Sequence, residues 1–138
     1  MLIERPLILK SEEILKSVRI LAEVRNVFSA FMELQGHASW ENQAPGAIEF
    51  EFLPACRGRF LEILPERKIK LALQHTHEVR IGEPRISVAT IEFIANPVEA
   101  ATMLRIHHEP LSESEALLIG RHWDHLMARL KLHSEKAN

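Results

Sequence analysis

The chain has 138 residues, 46% hydrophobic and 26% charged, with a formal net charge of −2. That length suits one domain with a sizeable core, read as residues 1–138 with an N-terminal arm at 1–12. The composition offers no basic footprint for nucleic acid and no apolar run of the roughly 18 residues a membrane span needs, and the single cysteine, Cys56, excludes an internal disulfide framework.

In chain order, "MLIERPLILK" places Glu4, Arg5 and Pro6 inside its apolar patch and makes a poor signal peptide. With the lone cysteine, this gives a cytoplasmic location as the expectation. The segment 14–24, "ILKSVRILAEV", is ambiguous. Ile14, Val18, Leu21 and Val24 fit one helical face, while Val18, Ile20 and Ala22 alternate as in a strand. Residues 24–35 carry Val24, Val27, Phe28, Phe31 and Met32 at helical spacing.

The middle of the chain reads as strands. "AIEFEF" (47–52) sets Ile48, Phe50 and Phe52 against Glu49 and Glu51. "GRFLEIL" (58–64), "RKIKLALQH" (67–75), "RISVATIEFI" (85–94) and "AATMLRIHH" (100–108) follow, with Pro, Gly and Asn marking the turns between them. Five strands with such short connections predict an antiparallel meander. The last element, 112–136, is the strongest helix signal. Ser112 and Glu115 form a capping box, and Ile119, Trp123, Leu126, Met127 and Leu130 make one apolar stripe.

These motifs, in this order, are similar to a known family. "RILAEVRNVFSAFMELQGHASW" (19–40), with Ala22, Val27-Phe28 and Trp40, resembles the opening of START-like (SRPBCC, Bet v 1-like) domains of the Hsp90-ATPase-activator-homologue group. Gly58, Glu62 and Pro65 match that group's Gly-x-x-x-Glu-x-x-Pro hairpin, and Trp123, Leu126 and Leu130 match its final helix. The resemblance implies an α+β helix-grip fold: a curved antiparallel sheet around a long C-terminal helix, with a short helix after the first strand. It also makes the ambiguous segment a first strand, roughly 15–22. Between Trp40 and Gly58 the chain is shorter than in that family, which leaves about six strands, with 4–10 as a candidate extra edge.

A helix laid across a curved sheet leaves room for a small apolar or amphipathic molecule. The candidate lining is Phe28, Phe31, Phe50, Phe52, Ile69, Leu71, Leu104, His108, Ile119, Trp123 and Met127. The same residues equally describe a plain core. His108 shares a strand face with Leu104 and Ile106, which makes it the best-placed of the eight histidines for chemistry; Arg105 and Glu109 are its candidate helpers in an enzyme, though Arg105 falls on the other face. His75 and His77 read as a solvated strand end, and His122 and His125 as the flank of the helix stripe. Cys56 reads as a small turn residue beside Arg57 and Arg59. No histidine pair shows the further ligands a metal centre needs, so no metal and no cofactor are assigned. The leading expectation is a non-enzymatic ligand-binding domain. The alternatives are a polyketide cyclase-like enzyme and a co-chaperone-like interaction module. Oligomeric state is open.

Overall fold

The computed structural model describes residues 12–35, 46, 48–54, 56–80 and 83–136, with the side chains of 76–80 and 83–84 left out. The elements are β1 (Glu12–Ile20), α1 (Val24–Leu34), β2 (Glu49–Leu53), β3 (Cys56–Leu64), β4 (Lys68–Arg80), β5 (Glu83–Asn96), β6 (Ala101–Leu111) and α2 (Glu113–Lys136). All six strands form one antiparallel sheet in the order β1-β6-β5-β4-β3-β2. The expected meander is present, and β1 returns beside its last strand. Trp40, the 4–10 segment and the His77 side chain lie outside the described residues.

The ambiguous segment is a strand, beginning at Glu12 and ending at Ile20. Pairing with β6 decides it: Ile14 faces His108 and Ile20 faces Thr102 across the ladder. Burial then alternates along β1, with Ile14 and Ile20 inside and Glu13, Leu15 and Ser17 outside. After Ile20 the chain turns, held by the Thr102 hydroxyl donating to the Ala22 carbonyl at 2.9 Å.

α1 has no side-chain cap. Eleven residues alone would be marginal as a helix. Its buried face of Val27, Phe28, Ala30, Phe31 and Met32 holds it down instead. Phe28 and Phe31 meet Phe93 of β5 edge-on, with ring centroids 5.3 and 5.8 Å apart.

α2 starts with the expected capping box. The Glu115 amide donates to Ser112 Oγ at 3.2 Å, and the Ser112 amide donates to Glu115 Oε1 at 2.8 Å. The whole predicted stripe, Ile119, Trp123, Leu126, Met127 and Leu130, is buried. The helix is fastened to β1 along its length by the Lys16–Asp124 ion pair at 2.8 Å, Lys131 donating to the Arg19 carbonyl at 3.2 Å, and the Leu21 amide donating to Glu135 at 2.8 Å.

The curvature of the sheet can be read from Trp123. Its indole donates to His108 of β6, and its ring lies 5.1 Å from Phe52 of β2. Three strands separate β6 from β2 in the sheet order. One side chain reaches both because a strongly twisted sheet curls around the helix.

Gly58 has a packing role beyond its place in the hairpin motif. It pairs with Phe50, and a Cβ there would stand 2.5 Å from the Phe50 ring. That ring lies over the glycine and 5.3 Å from Phe60. Gly58→Ala must push Phe50 aside, an overpacking cost of about 1–3 kcal/mol. Urea unfolding should show a lower midpoint with an unchanged slope.

Candidate functional site

All the predicted lining residues face the interior. Phe28, Phe31, Phe52, Ile69, Leu71, Leu104, His108, Ile119, Trp123 and Met127 are buried, and Phe50 is half-buried against them. They do not form one pocket wall. Phe28 and Phe31 gather at Phe93 under α1, six residues along β5 from Ser87, or about 20 Å of strand. Phe52, His108 and Trp123 gather under the first half of α2.

This second group continues into a line of buried polar side chains. The Trp123 indole N–H donates to His108 Nδ1 at 3.0 Å. His108 Nε2 lies 2.7 Å from Ser87 Oγ, which lies 2.7 Å from His75 Nε2. His75 Nδ1 faces Glu115 Oε2 at 3.5 Å and Cys56 Sγ at 3.9 Å. The line ends on Glu115, whose Oε1 accepts from Arg85 at 2.7 Å and from the Ser112 amide.

The donors in this line fix its direction. An indole nitrogen can only donate, so His108 Nδ1 accepts and the His108 proton sits on Nε2. That proton is given to Ser87, whose hydroxyl is then turned toward His75 Nε2. A neutral His75 then carries its proton on Nδ1, on the side of Glu115. Burial agrees with a neutral His108. Desolvation above all, helped by the nearby His75, lowers its pKa to about 3. For Glu115, burial pushes the carboxyl up, but the Ser112 amide, His75 and Arg85 together outweigh it and leave the pKa below the usual value. For Cys56, burial and then Glu115 push the thiol up to about 11, so it stays protonated.

Three readings of the sequence change here. His75 is a fully buried member of the line, not a solvated strand end. Leu73, Leu71 and Ile69 share its strand face, and that parity outranks its nearness to the turn. Cys56 opens β3 inside the core instead of sitting in a turn, while Arg57 faces outward to Glu49 at 3.2 Å. His122 is closer to the site than a flank, half-buried with its ring 4.4 Å from Phe52. Burial, then His125 and Arg129, lower its pKa. His108 is buried on the face it shares with Leu104 and Ile106, as expected, and bonds there to Ser87 and Trp123.

Ser87, Arg85 and Glu115 were missed as site residues. Signals for them exist. Ser87 stands on the strand face of Ala89, Ile91 and Phe93, where a small polar residue needs a partner. Glu115 lies four residues before Ile119, on the stripe itself, so it serves the cap and the interior together. Arg105 and Glu109, weighed as helpers for His108, point to the outer face.

Among the described residues, the larger hollows lie outside the helix–sheet interior, on the outer sheet face and in the seam between β1 and α2.

No family model and no curated protein sequence matches the chain. Solved structures do. Protein MLL2253 from Mesorhizobium loti superposes with a TM-score of 0.68 at 13% identity, over 92% of this chain and 99% of that one. CalU16 from Micromonospora echinospora gives 0.61 at 18% identity, over 92% and 85%. DynU16, a protein in the dynemicin biosynthetic locus, gives 0.66 at 14% identity, over 91% of this chain and 48% of its own length. The fold is a helix grip. At these identities the likeness speaks for the fold of the grip alone.

The polar line makes the grip sensitive to acid. The His108 pKa is about 3 in the folded chain against 6.5 for the free side chain, so the unfolded chain takes up a proton that the folded one refuses. Stability contributed by neutral His108 is therefore present above pH 6.5 and is lost progressively toward pH 3. The loss between pH 7 and pH 5 should be about 2 kcal/mol. His108→Gln can still accept from Trp123 and donate to Ser87 but cannot titrate, so its unfolding free energy should change less over that range. Ser87→Ala strands both imidazoles and should cost about 2 kcal/mol or more at pH 7, read by chemical denaturation.

Proposed function

We propose that the protein holds a small apolar or amphipathic molecule between the sheet and α2, with the Trp123–His108–Ser87–His75 line as the polar end of the grip. One observation carries this reading. Three buried polar side chains of the sheet, His75, Ser87 and His108, are bonded in a line to the Trp123 indole of α2, each 0% exposed, between apolar walls. Stability alone gives little reason for them, since replacing buried polar partners together by apolar groups of the same shape is often neutral or better. Apolar walls with a few converging polar groups are what small-molecule sites look like. The shared fold with DynU16, from a biosynthetic locus, suits a small-molecule partner.

The route proposed for uptake is the seam between α2 and β2. α2 is tied to β1 and the residue after it by one ion pair and two hydrogen bonds. Toward β2 it presents ring contacts, Phe52 with His122 and Trp123, and both His122 and Phe50 are half-buried. Rotating Phe52 and His122 outward opens the way to His108 without moving the helix.

Native mass spectrometry of freshly purified protein should show a species heavier than the chain by one small molecule, and Ser87→Ala should lose it. A ligand at a hundred times its Kd should add about 2.7 kcal/mol to stability. The bare mass alone, together with no rise in Tm across fatty acids, sterols and fused-ring aromatics, refutes the reading.

Turnover of the held molecule, in the manner of a polyketide cyclase, is the second reading. It rests on His75, whose Nε2 accepts from Ser87 while its Nδ1 faces the Glu115 carboxylate. That is the arrangement of a general base backed by an acid. A bound molecule recovered with an altered structure, and recovered unaltered from His75→Gln, would favour it.

A further inference from the structure

His107 and His108 are consecutive on β6 and face opposite ways. His108 belongs to the interior line. His107 stands on the outer sheet face, where two carboxylates meet it. Its Nε2 is 3.0 Å from Glu13 Oε2 on β1 and 3.4 Å from Glu109 Oε2 on its own strand. One donor atom from each of the three residues lies within 4.8 Å of the others.

The ladder explains why three residues from two strands converge. Ile14 pairs with His108, and the next recorded pair is Glu12 with Leu111. Over that stretch β1 advances two residues while β6 advances three, which is a bulge. His107 and Glu109 project from the same face of β6, and Glu13 stands on that face of β1 two residues from Leu15, the cross-strand partner of His107, so its side chain reaches His107 diagonally.

We propose that Glu13, His107 and Glu109 form a surface site for a divalent transition metal of the zinc class. Zinc bonds to imidazole nitrogen and carboxylate oxygen run about 2.0–2.2 Å, which sets tetrahedral ligands roughly 3.3 Å apart. The His107 separations of 3.0 and 3.4 Å match that edge. Two carboxylates bring the negative charge that a divalent ion neutralises, and a nitrogen ligand favours zinc over calcium or magnesium. Three protein ligands leave a fourth position for water or a small anion. A groove lined by Leu15, Ser17, Met103 and Arg105 adjoins His107 and gives it room. Arg105, on the same face, is turned to Glu92 at 3.8 Å, which answers part of its charge. The site is on the far side of the sheet from the grip and does not depend on what the grip holds.

Zinc titration of the full chain by calorimetry tests the site, with His107→Ala and Glu13→Gln measured beside the unsubstituted protein. The other histidines are common to all three, so the difference reports this cluster. The unsubstituted protein should bind one more equivalent than His107→Ala, and Glu13→Gln should weaken that equivalent at least about tenfold. All three residues are partly exposed, so circular dichroism should show the fold unchanged. Zinc-edge anomalous scattering from a soaked crystal should place the ion on these three side chains. Equal binding by the unsubstituted protein and His107→Ala, or an anomalous peak elsewhere and none here, overturns the proposal.

Discussion

The hydrogen bond from the Trp123 indole to His108 Nδ1 ties three parts of the molecule together. It can form only if α2 lies across the concave face and the sheet curls far enough for β6 to meet the helix stripe. The same indole ring lies 5.1 Å from Phe52 on β2, so the bond and the ring contact together record how tightly the sheet wraps. Because an indole never accepts, the bond also sets the proton on His108. Everything downstream inherits that choice: the turn of the Ser87 hydroxyl, the tautomer of His75, and the side of His75 that meets Glu115.

The line joins the fold to its own helix cap. Glu115 accepts the Ser112 amide as the last residue of a capping box, and the same oxygen takes Arg85 of β5. Its second oxygen faces His75. A carboxylate there favours the start of a helix through the backbone dipole as well. One residue therefore fixes where α2 begins and supplies the negative end of the interior line. Moving the helix start would disturb both, which links the position of α2 to the polarity of the concave face.

The pattern of the sequence was enough for the elements and the apolar lining, because strand parity and helix period are local properties. Ile69, Leu71 and Leu73 declare their face by alternation, and Ile119, Trp123 and Leu126 by helical spacing. The polar line was only half visible. His108 announces itself by sharing a face with Leu104 and Ile106. Ser87 and His75 carry the same kind of signal, but their meaning comes from the register of three strands. Cys56 pairs with His75, and His75 pairs with Arg85. Register between strands is a long-range property, set when the sheet assembles. No spacing within one segment states that Ser87 falls between two imidazoles.

The contrast between His107 and His108 takes this one step further. Two identical side chains, adjacent in sequence, enter different environments because a strand alternates its faces. His108 loses its water and is held neutral by burial and by Trp123. His107 keeps solvent and gains two carboxylates, one from its own strand and one from β1. The unequal advance of the two strands ends the regular alternation beyond Ile14 and His108. Strand parity thus sends one histidine to an interior that bonds to itself and its neighbour to an outer cluster that solvent reaches.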